Sequence, residues 1–508
     1  MPECPQDLPA SGPAREALRE KGQFWTPAWV AEAMVAYALG GGADSLFDPA
    51  VGAGAFFSAA EVIARETGWR PVCWGVELHR STLDHARGKG VPEAHLKGVA
   101  VGDFVLDPPA GPFPAIVANP PYIRHHRLSA GIKASLRSLG ASLLGTPLDG
   151  RAGLHVYFLL RALSLLQEGG RLAFIVPADT CEGVFAPSLW RWISRGYRLD
   201  AVVTFTPDAS PFPGVDTNPL VLMIRGDRPA ESFLWAQCLQ TDGAALRQWA
   251  LKGLPAISSP ALDIHTRSLS EGLATGLSRP PTRAASGGPV LREFASVMRG
   301  IATGANGFFH LTRAQAADLS IPDEFLLSAV GRTRDVPGDE VTPETMATLD
   351  SAGRPTLLFS PDGRPQDQFP PAVQQYLSRG VAMGLPQRRL IATRRPWYRM
   401  ERRRPPPILF AYLGRRSARF IRNRGGGVPL TGFLCVYPHR KDDAFVEALW
   451  RVLSDDRTVA NLPLVGKSYG GGAIKVEPRA LETLPLPPEV VESAGLVRPG
   501  KPTQLRLL

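Results

Sequence analysis

Cysteine is scarce and scattered in this chain. Cys4, Cys73, Cys181, Cys238 and Cys435 form no Cys-x-x-Cys pair and no Cys/His pairing. That spacing argues against a zinc site or a disulfide framework and for a reducing, cytoplasmic setting. Long apolar runs are also missing: the longest, "LHVYFLLRALSLL", carries an Arg and a His and is too short to span a bilayer. The N-terminal "MPECPQDLPASGPAREAL" lacks a basic start followed by an apolar core, so neither a secretory signal nor a membrane partner is expected. What is present fits a globular protein, with 44% hydrophobic and 20% charged residues. At 508 residues the chain exceeds one ordinary core, and two or three domains are expected.

Acid is nearly absent from one stretch. Between Arg388 and Arg424 there are thirteen arginines and a single acid, Glu401, a local net charge of +12 against +10 for the whole chain. The remainder therefore sums to about −2, and the excess reads as a surface for an anionic partner. Arginine there is interleaved with Trp397, Tyr398, Phe410 and Tyr412, which combines phosphate binding with apolar packing.

From about residue 43 to 225, short apolar runs alternate with helical patterns. "SLFDP", "VCWGVEL", "GVAVGDF", "AIVANPP", "RLAFIVP", "DAVVTFT" and "PLVLMIR" read as strands, and "GAFFSAAEVIARETG" and "HVYFLLRALSLLQEGG" as helices. The alternation predicts an α/β domain with a mainly parallel, doubly wound sheet, and ligands at the carboxyl ends of its strands. Near residue 250 the sequence turns rich in Ser, Pro, Gly and Thr, as in a linker or extended segment. A second region follows from about Leu291, and it contains the arginine cluster.

The first strand runs into "FDPAVGAGAFF", where Gly52 and Gly54 allow a tight turn and close approach of backbone to a ligand. Asp48 and Ala50 flank that turn. Glu77, followed by Leu78, closes the second strand, where an acid can accept hydrogen bonds from ribose hydroxyls. Asp103 closes the third, placed to accept from an adenine amino group while Phe104 covers the ring. A dinucleotide site would need a third glycine where Phe57 stands. Three acids and no phosphate cradle suit S-adenosylmethionine, a positively charged nucleoside, better than a dinucleotide.

The fourth strand delivers "ANPPY". The side-chain oxygen of Asn119 and the carbonyl of Pro120 can both accept from one amino group, Pro121 stiffens the turn, and Tyr122 offers a face to a planar base. When an exocyclic amine attacks a sulfonium methyl, positive charge grows on its nitrogen, and two neutral acceptors aimed there stabilise it. His125, His126 and His155 read as surface or phosphate-facing residues.

"FDPAVGAGAFF", "GVEL", "GDF" and "NPPY", in that order, resemble the motifs of amino-methylating DNA methyltransferases. "GQFWTPAWVAEAMVAYAL" (22–39) is similar to the N-terminal motif X of the gamma class, in which the segment around Thr26 covers the methionine part of the cofactor. "SPFPGVDTNPLVLMI" (210–224) is similar to motif VIII, which makes Phe212 the second aromatic on a flipped base. "VMRGIATGANGFFHLT" (297–312) and "GKSYGGGAIKVEPRALETLPLPP" (466–488) resemble the opening and closing segments of target-recognition domains. The second of these contains no Walker loop, because Asn461 stands where the first glycine belongs. The chain departs from the family at "RAGLHVYF", where an acid is common and Gly153 and His155 stand instead.

The resemblance implies a Rossmann-like class I S-adenosylmethionine-dependent methyltransferase domain over 21–245. Around it lie an extension over 1–20, a linker over 246–290 and an irregular α+β recognition domain over 291–508. It further implies methyl transfer to N6 of adenine in double-stranded DNA, no metal, and a separate restriction endonuclease as the cleaving partner. Arg394, Arg395, Arg399, Arg402, Arg403, Arg404, Arg415 and Arg416 are the DNA-binding candidates. Enzymes that methylate RNA bases or protein glutamine share the NPPY clamp and are the alternative, although they usually lack motif X and a long recognition domain. A cytosine-C5 enzyme is excluded by the lack of a Pro-Cys dipeptide.

Overall fold

The structure is a computed structural model that describes residues 25–213, 215, 217–281, 288–411, 418–469 and 473–497. The chain divides into two compact units at residues 281/282. Among the described residues no helix is long and apolar enough to cross a membrane.

The first unit is built on nine strands: β1 (Ser45–Asp48), β2 (Val72–Glu77), β3 (Val99–Val101), β4 (Phe113–Ala118), β5 (Leu166–Pro177), β6 (Arg198–Phe205), β7 (Pro219–Arg225), β8 (Ser232–Cys238) and β9 (Leu262–Ser268). Their order across the sheet is β3-β2-β1-β4-β5-β7-β6-β8-β9. The first five run parallel, and β7 lies antiparallel between β5 and β6. This is a Rossmann-like, mainly parallel α/β arrangement. Each of the seven apolar runs in the sequence became one of its first seven strands.

The central strands are buried on both faces, so they read as continuous apolar runs. Along β5, Ala173 and Ile175 enter one core and Leu172, Phe174 and Val176 the other. The first core is closed by helices α1 (Ala28–Leu39) and α2 (Ala55–Thr67). The second is closed by α3 (Ala130–Leu144) and α4 (Leu154–Ser164). Strand order reverses between β1 and β4, and a ligand crevice is expected there, at the strands' carboxyl ends.

The expected linker is corrected by the structure. Residues Gly243–Leu251 form a helix packed on α1, and β9 pairs antiparallel with β8 along its whole length. The sequence concealed β9 because one inward position is Arg267, 2% exposed. Its guanidinium bonds Glu271 at 2.9 and 2.7 Å, Thr275 at 2.8 Å, and the carbonyls of Gly276 and Arg279. A fully bonded buried arginine has the composition of a surface strand and the packing of a core one.

The second unit holds a five-stranded sheet, with Ala295–Arg299, Phe433–Pro438, Ile408–Ala411, Arg419–Asn423 and Glu340–Val341 as neighbours in that order. A smaller sheet orders His310–Leu311, Leu357–Phe359, Leu326–Val330 and Val428–Pro429. Phe410 and Tyr398 are buried, and Trp397 packs 6.1 Å from Phe308, so these aromatics of the arginine-rich stretch are core. Tyr412 lies outside the described residues.

Replacing Arg267 by Met should destabilise the first unit by about 3–5 kcal/mol, the usual cost of breaking a buried ion pair. Urea unfolding followed by tryptophan fluorescence measures this. A loss below about 1 kcal/mol would mean that β9 does not depend on the arginine.

Candidate active site

Four strand ends meet at the reversal of strand order. Asp48 ends β1, Glu77 ends β2, Asp103 follows β3 by two residues, and Asn119 follows β4 directly. Between β1 and α2, Gly52 (φ +55°) and Gly54 (φ +76°) take left-handed conformations that side chains rarely adopt. A Cβ on Gly52 would lie 3.0 Å from the ring of Trp25, and one on Gly54 would lie 2.6 Å from Val91. Trp25 in turn stacks on His85, with ring centres 5.5 Å apart. It roofs the turn, a role unassigned from sequence although Trp25 adjoins Thr26 in the motif X phrase.

Asp48 is fully buried. Its Oδ1 accepts from the Ala50 amide at 2.9 Å, while Oδ2 has no hydrogen-bond partner among the described residues. Burial raises its pKa from 3.8 to about 8, and the neighbouring charge of Glu77 adds to the rise against the Ala50 bond. A buried carboxyl with an unmet oxygen costs free energy unless a cation or donor arrives, so the pocket fits a positively charged ligand group.

Glu77 accepts from the Gly52 amide at 2.9 Å through Oε2 and from the His79 amide at 3.1 Å through Oε1. Each carboxylate oxygen can accept a second bond, so the residue braces the glycine turn and can still receive hydroxyl groups. Leu78, 57% exposed, presents apolar surface beside it. Asp103 is exposed, and its Oδ1 accepts from the Val105 and Leu106 amides at 2.9 and 3.0 Å. Phe104 departs from expectation. Only 1% exposed, it packs 5.8 Å from Phe47 and 5.5 Å from Phe158, so its ring is core and has no face to offer an adenine.

The Asn119 amide donates through Nδ2 to Thr26 Oγ1 at 3.1 Å, joining positions 93 residues apart in sequence. In this arrangement the NH2 faces the threonine hydroxyl and Oδ1 is the accepting end. Pro120 is buried, and the turn is held by bonds from the Ile123 amide to Pro121 (2.9 Å) and from the Leu154 amide to Ile123 (3.0 Å). Tyr122 and Phe212 are brought together, edge to face, with ring centres 6.5 Å apart and planes at 81°. Burial first, then the charge of Asp179, pushes the Tyr122 hydroxyl well above its ordinary pKa of 10.0, which keeps it a neutral phenol.

His155 is another correction. It is buried (4% exposed), its ring meets that of Tyr122 at 6.0 Å, and its Nε2 stands 3.5 Å from Asp179 Oδ1. Gly153 leaves room for it, since a Cβ there would come within 2.8 Å of the imidazole. No spacing rule links His155 to an acid that follows β5, so the pair was invisible in sequence. His125 and His126 lie outside the core, with His126 exposed.

The arginine candidates separate into two groups. Arg394 is half-buried, donates to the carbonyls of Ala302 (2.5 Å) and Thr303 (2.9 Å), and lies over the ring of Phe309, so it fastens a loop rather than facing solvent. Arg403 is paired with Glu401 and bonded to the carbonyl of Arg299. Arg395, Arg399, Arg402 and Arg404 are exposed. Arg415 and Arg416 lie outside the described residues. Arg422 and Arg424, within the same charged stretch, are paired with Glu447. Part of the local +12 is thus answered by acids from elsewhere in the unit, with Asp339 on Arg419 and Asp443, Glu447 and Glu340 on Arg422 and Arg424.

Two family models match the chain. The Eco57I restriction-modification methylase model covers residues 101–212, and the model of the C-terminal domain of the type II methyltransferase M.Eco57I covers residues 282–500. Type II methyltransferase M.AccI of Acinetobacter calcoaceticus is 21% identical, over 92% of this chain and 85% of its own length. Type II methyltransferase M.XamI of Xanthomonas campestris pv. amaranthicola is 27% identical over the same shares. Among solved structures, the type IIG restriction endonuclease BpuSI is 15% identical with a TM-score of 0.48, covering 95% of this chain. The chain spans 62% of that protein, less than two thirds of it.

Asp48 carries a pH signature. Its folded pKa of about 8 exceeds the ordinary 3.8, so the stability it contributes is full below about pH 4 and is lost as pH rises to about 8. Asp48→Asn cannot lose this proton. Between about pH 5 and pH 8 its melting temperature should fall less than that of the wild type, as read by thermal unfolding. Equal slopes would mean that Asp48 ionises like a surface carboxyl.

Proposed function

We propose that this chain is the DNA methyltransferase of a restriction-modification system and that it transfers a methyl group from S-adenosylmethionine to N6 of adenine in a specific duplex sequence. The observation that carries the reading is the convergence of Asn119, held by Thr26, with the cofactor-type strand ends of β1 and β2. The two restriction-modification family matches support DNA as the substrate. The partners are then double-stranded DNA and, for cleavage, a separate cognate endonuclease.

Thr26, Asp48, Ala50, Gly52, Gly54, Glu77, Leu78 and Asp103 would hold the cofactor, which supplies the activated methyl group when bound. The unmet oxygen of Asp48 would receive its cationic part. Glu77 would take the ribose hydroxyls, and exposed Leu78 would lie against the adenine in place of Phe104. The side chain at Gly52 must be missing so that the ligand can approach beneath Trp25. Asn119 Oδ1 and the Pro120 carbonyl would accept from the target amino group and stabilise the positive charge that develops there, a type of contact worth roughly 10²–10³-fold in rate. No covalent nucleophile on the protein is needed.

Reaching N6 in this way requires the adenine to leave the duplex, at a cost of a few kcal/mol. Stacking on an aromatic ring returns about 1–3 kcal/mol per base. Tyr122 and Phe212 stand edge to face, so one ring must turn before a base can lie between them. On this reading Tyr122 supplies the first stacking face and Phe212 adjusts as the base enters. The exposed Arg395, Arg399, Arg402 and Arg404 would contribute phosphate contacts from the second unit.

Single-molecule sequencing of DNA from cells expressing the chain should reveal one short motif carrying modified adenine, and none with Asn119→Ala. In the purified protein, Thr26→Val should lower kcat roughly tenfold or more while the KM for DNA holds, because a displaced amide misaligns the amine. Thr26→Ser should restore the rate. Modified cytosine, or no modified DNA, would refute the reading. A Thr26→Ser variant as slow as Thr26→Val would confine the threonine to packing.

A further inference from the structure

The segment that follows the Asn-Pro-Pro-Tyr turn is electrostatically one-sided. Between Asn119 and Leu148 there is no acid, while Arg124, Arg127, Lys133 and Arg137 are cationic and His125 and His126 lie among them. Arg124, His126, Arg127, Lys133 and Arg137 are all exposed. The short helix His125–Arg127 leads into α3, which Ser129 caps by accepting from the Ile132 amide at 3.3 Å. Residues 129–135 are exposed throughout, and α3 buries only Leu136, Leu139 and Gly140. Its first two turns therefore stand out from the protein instead of packing on it.

This arrangement opposes ordinary helix electrostatics. The N-terminal end of a helix carries partial positive charge and favours acids in its first turn, yet α3 has none there and is preceded by two arginines. Lys133 and Arg137 are spaced i, i+4, a spacing at which like charges repel. The first acid further along, Asp149, is bound by Arg151 at 2.8 Å. Each feature raises the energy of the isolated protein and is relieved by an anion lying along the segment. Arg124 is two residues beyond Tyr122, so its Cα is within about 7 Å of the tyrosine's.

We propose that residues 124–137 hold the phosphodiester backbone of the DNA strand on either side of the extruded nucleotide, with Arg124, Lys133 and Arg137 binding the phosphates. The inference rests on the DNA methyltransferase reading and adds a catalytic-unit DNA surface, distinct from the arginines of the second unit. Contacts of this kind fix the position of the strand without reading its sequence.

The test uses the full chain with Arg124→Gln, Lys133→Gln and Arg137→Gln combined, and fluorescence anisotropy on a duplex with the methylated motif and on one without it. Across a potassium chloride series, each phosphate that is no longer neutralised should reduce the slope of log K against log salt by about 0.9. A reduction of about 2–3 and a roughly tenfold weaker Kd on both duplexes are expected, with S-adenosylmethionine affinity unchanged. A wild-type slope in a variant that still binds cofactor would overturn the proposal. Should the triple variant fail to bind cofactor, Arg137→Gln alone decides, with a drop of about one expected. Arg137→Lys, which keeps the charge, should match wild type. Failure of the parent reading looks different: the unaltered chain itself would then leave DNA adenine unmodified. Tighter, more salt-sensitive binding to single-stranded RNA of the same sequence would assign the surface to RNA instead.

Discussion

A hydrogen bond from the Asn119 amide to the Thr26 hydroxyl joins the two elements on which the proposed site depends. Asn119 leaves the carboxyl end of β4, and Thr26 lies two residues before α1, whose buried residues help close one face of the sheet. With the threonine accepting from the NH2 end of the carboxamide, Oδ1 is the accepting end in this arrangement. That is preorganisation in the physical sense: in the proposed reaction an acceptor already oriented toward the amine needs no rearrangement as charge develops. The surrounding turn adds stiffness through prolines and two backbone bonds, so the geometry belongs to the fold rather than to a loose loop.

Asp48 represents the opposite strategy. It is placed where folding alone does not satisfy it: fully buried, one oxygen unmet, and its pKa raised to about 8. Such a group is a liability in the free protein and an attraction for a cation. The proposed cofactor is cationic, which links the stability of the empty site to its affinity when filled. The edge-to-face geometry of Tyr122 and Phe212 has a similar character. Their ring centres stand 6.5 Å apart, and in the proposed reaction one of them turns to admit the base.

The placement of the candidate residues was legible in sequence wherever they follow strand ends. Asp48, Glu77 and Asn119 each sit at the tip of an apolar run, and tips of parallel strands converge by topology. What remained hidden depended on side-chain packing across long separations. Phe104 occupies a strand-end position but turns inward onto Phe47 and Phe158. His155 meets Asp179 only because α4 and the end of β5 are neighbours. Strand β9 was concealed because Arg267 is bonded internally, and the second unit's available charge was overcounted because Glu447, Glu340, Asp443 and Asp339, outside the counted stretch, pair with Arg419, Arg422 and Arg424. Composition reports charge, whereas only three-dimensional placement reports which charges remain available.

The most direct measurement is a crystal structure of the chain with a cofactor analogue and a duplex containing its methylated motif. The account requires the target adenine outside the helix, its exocyclic nitrogen within hydrogen-bonding distance of Asn119 Oδ1 and the Pro120 carbonyl, and Thr26 still holding the amide NH2. A base left stacked in the duplex, or a carboxamide rotated away from any nucleobase with the analogue in place, would contradict it.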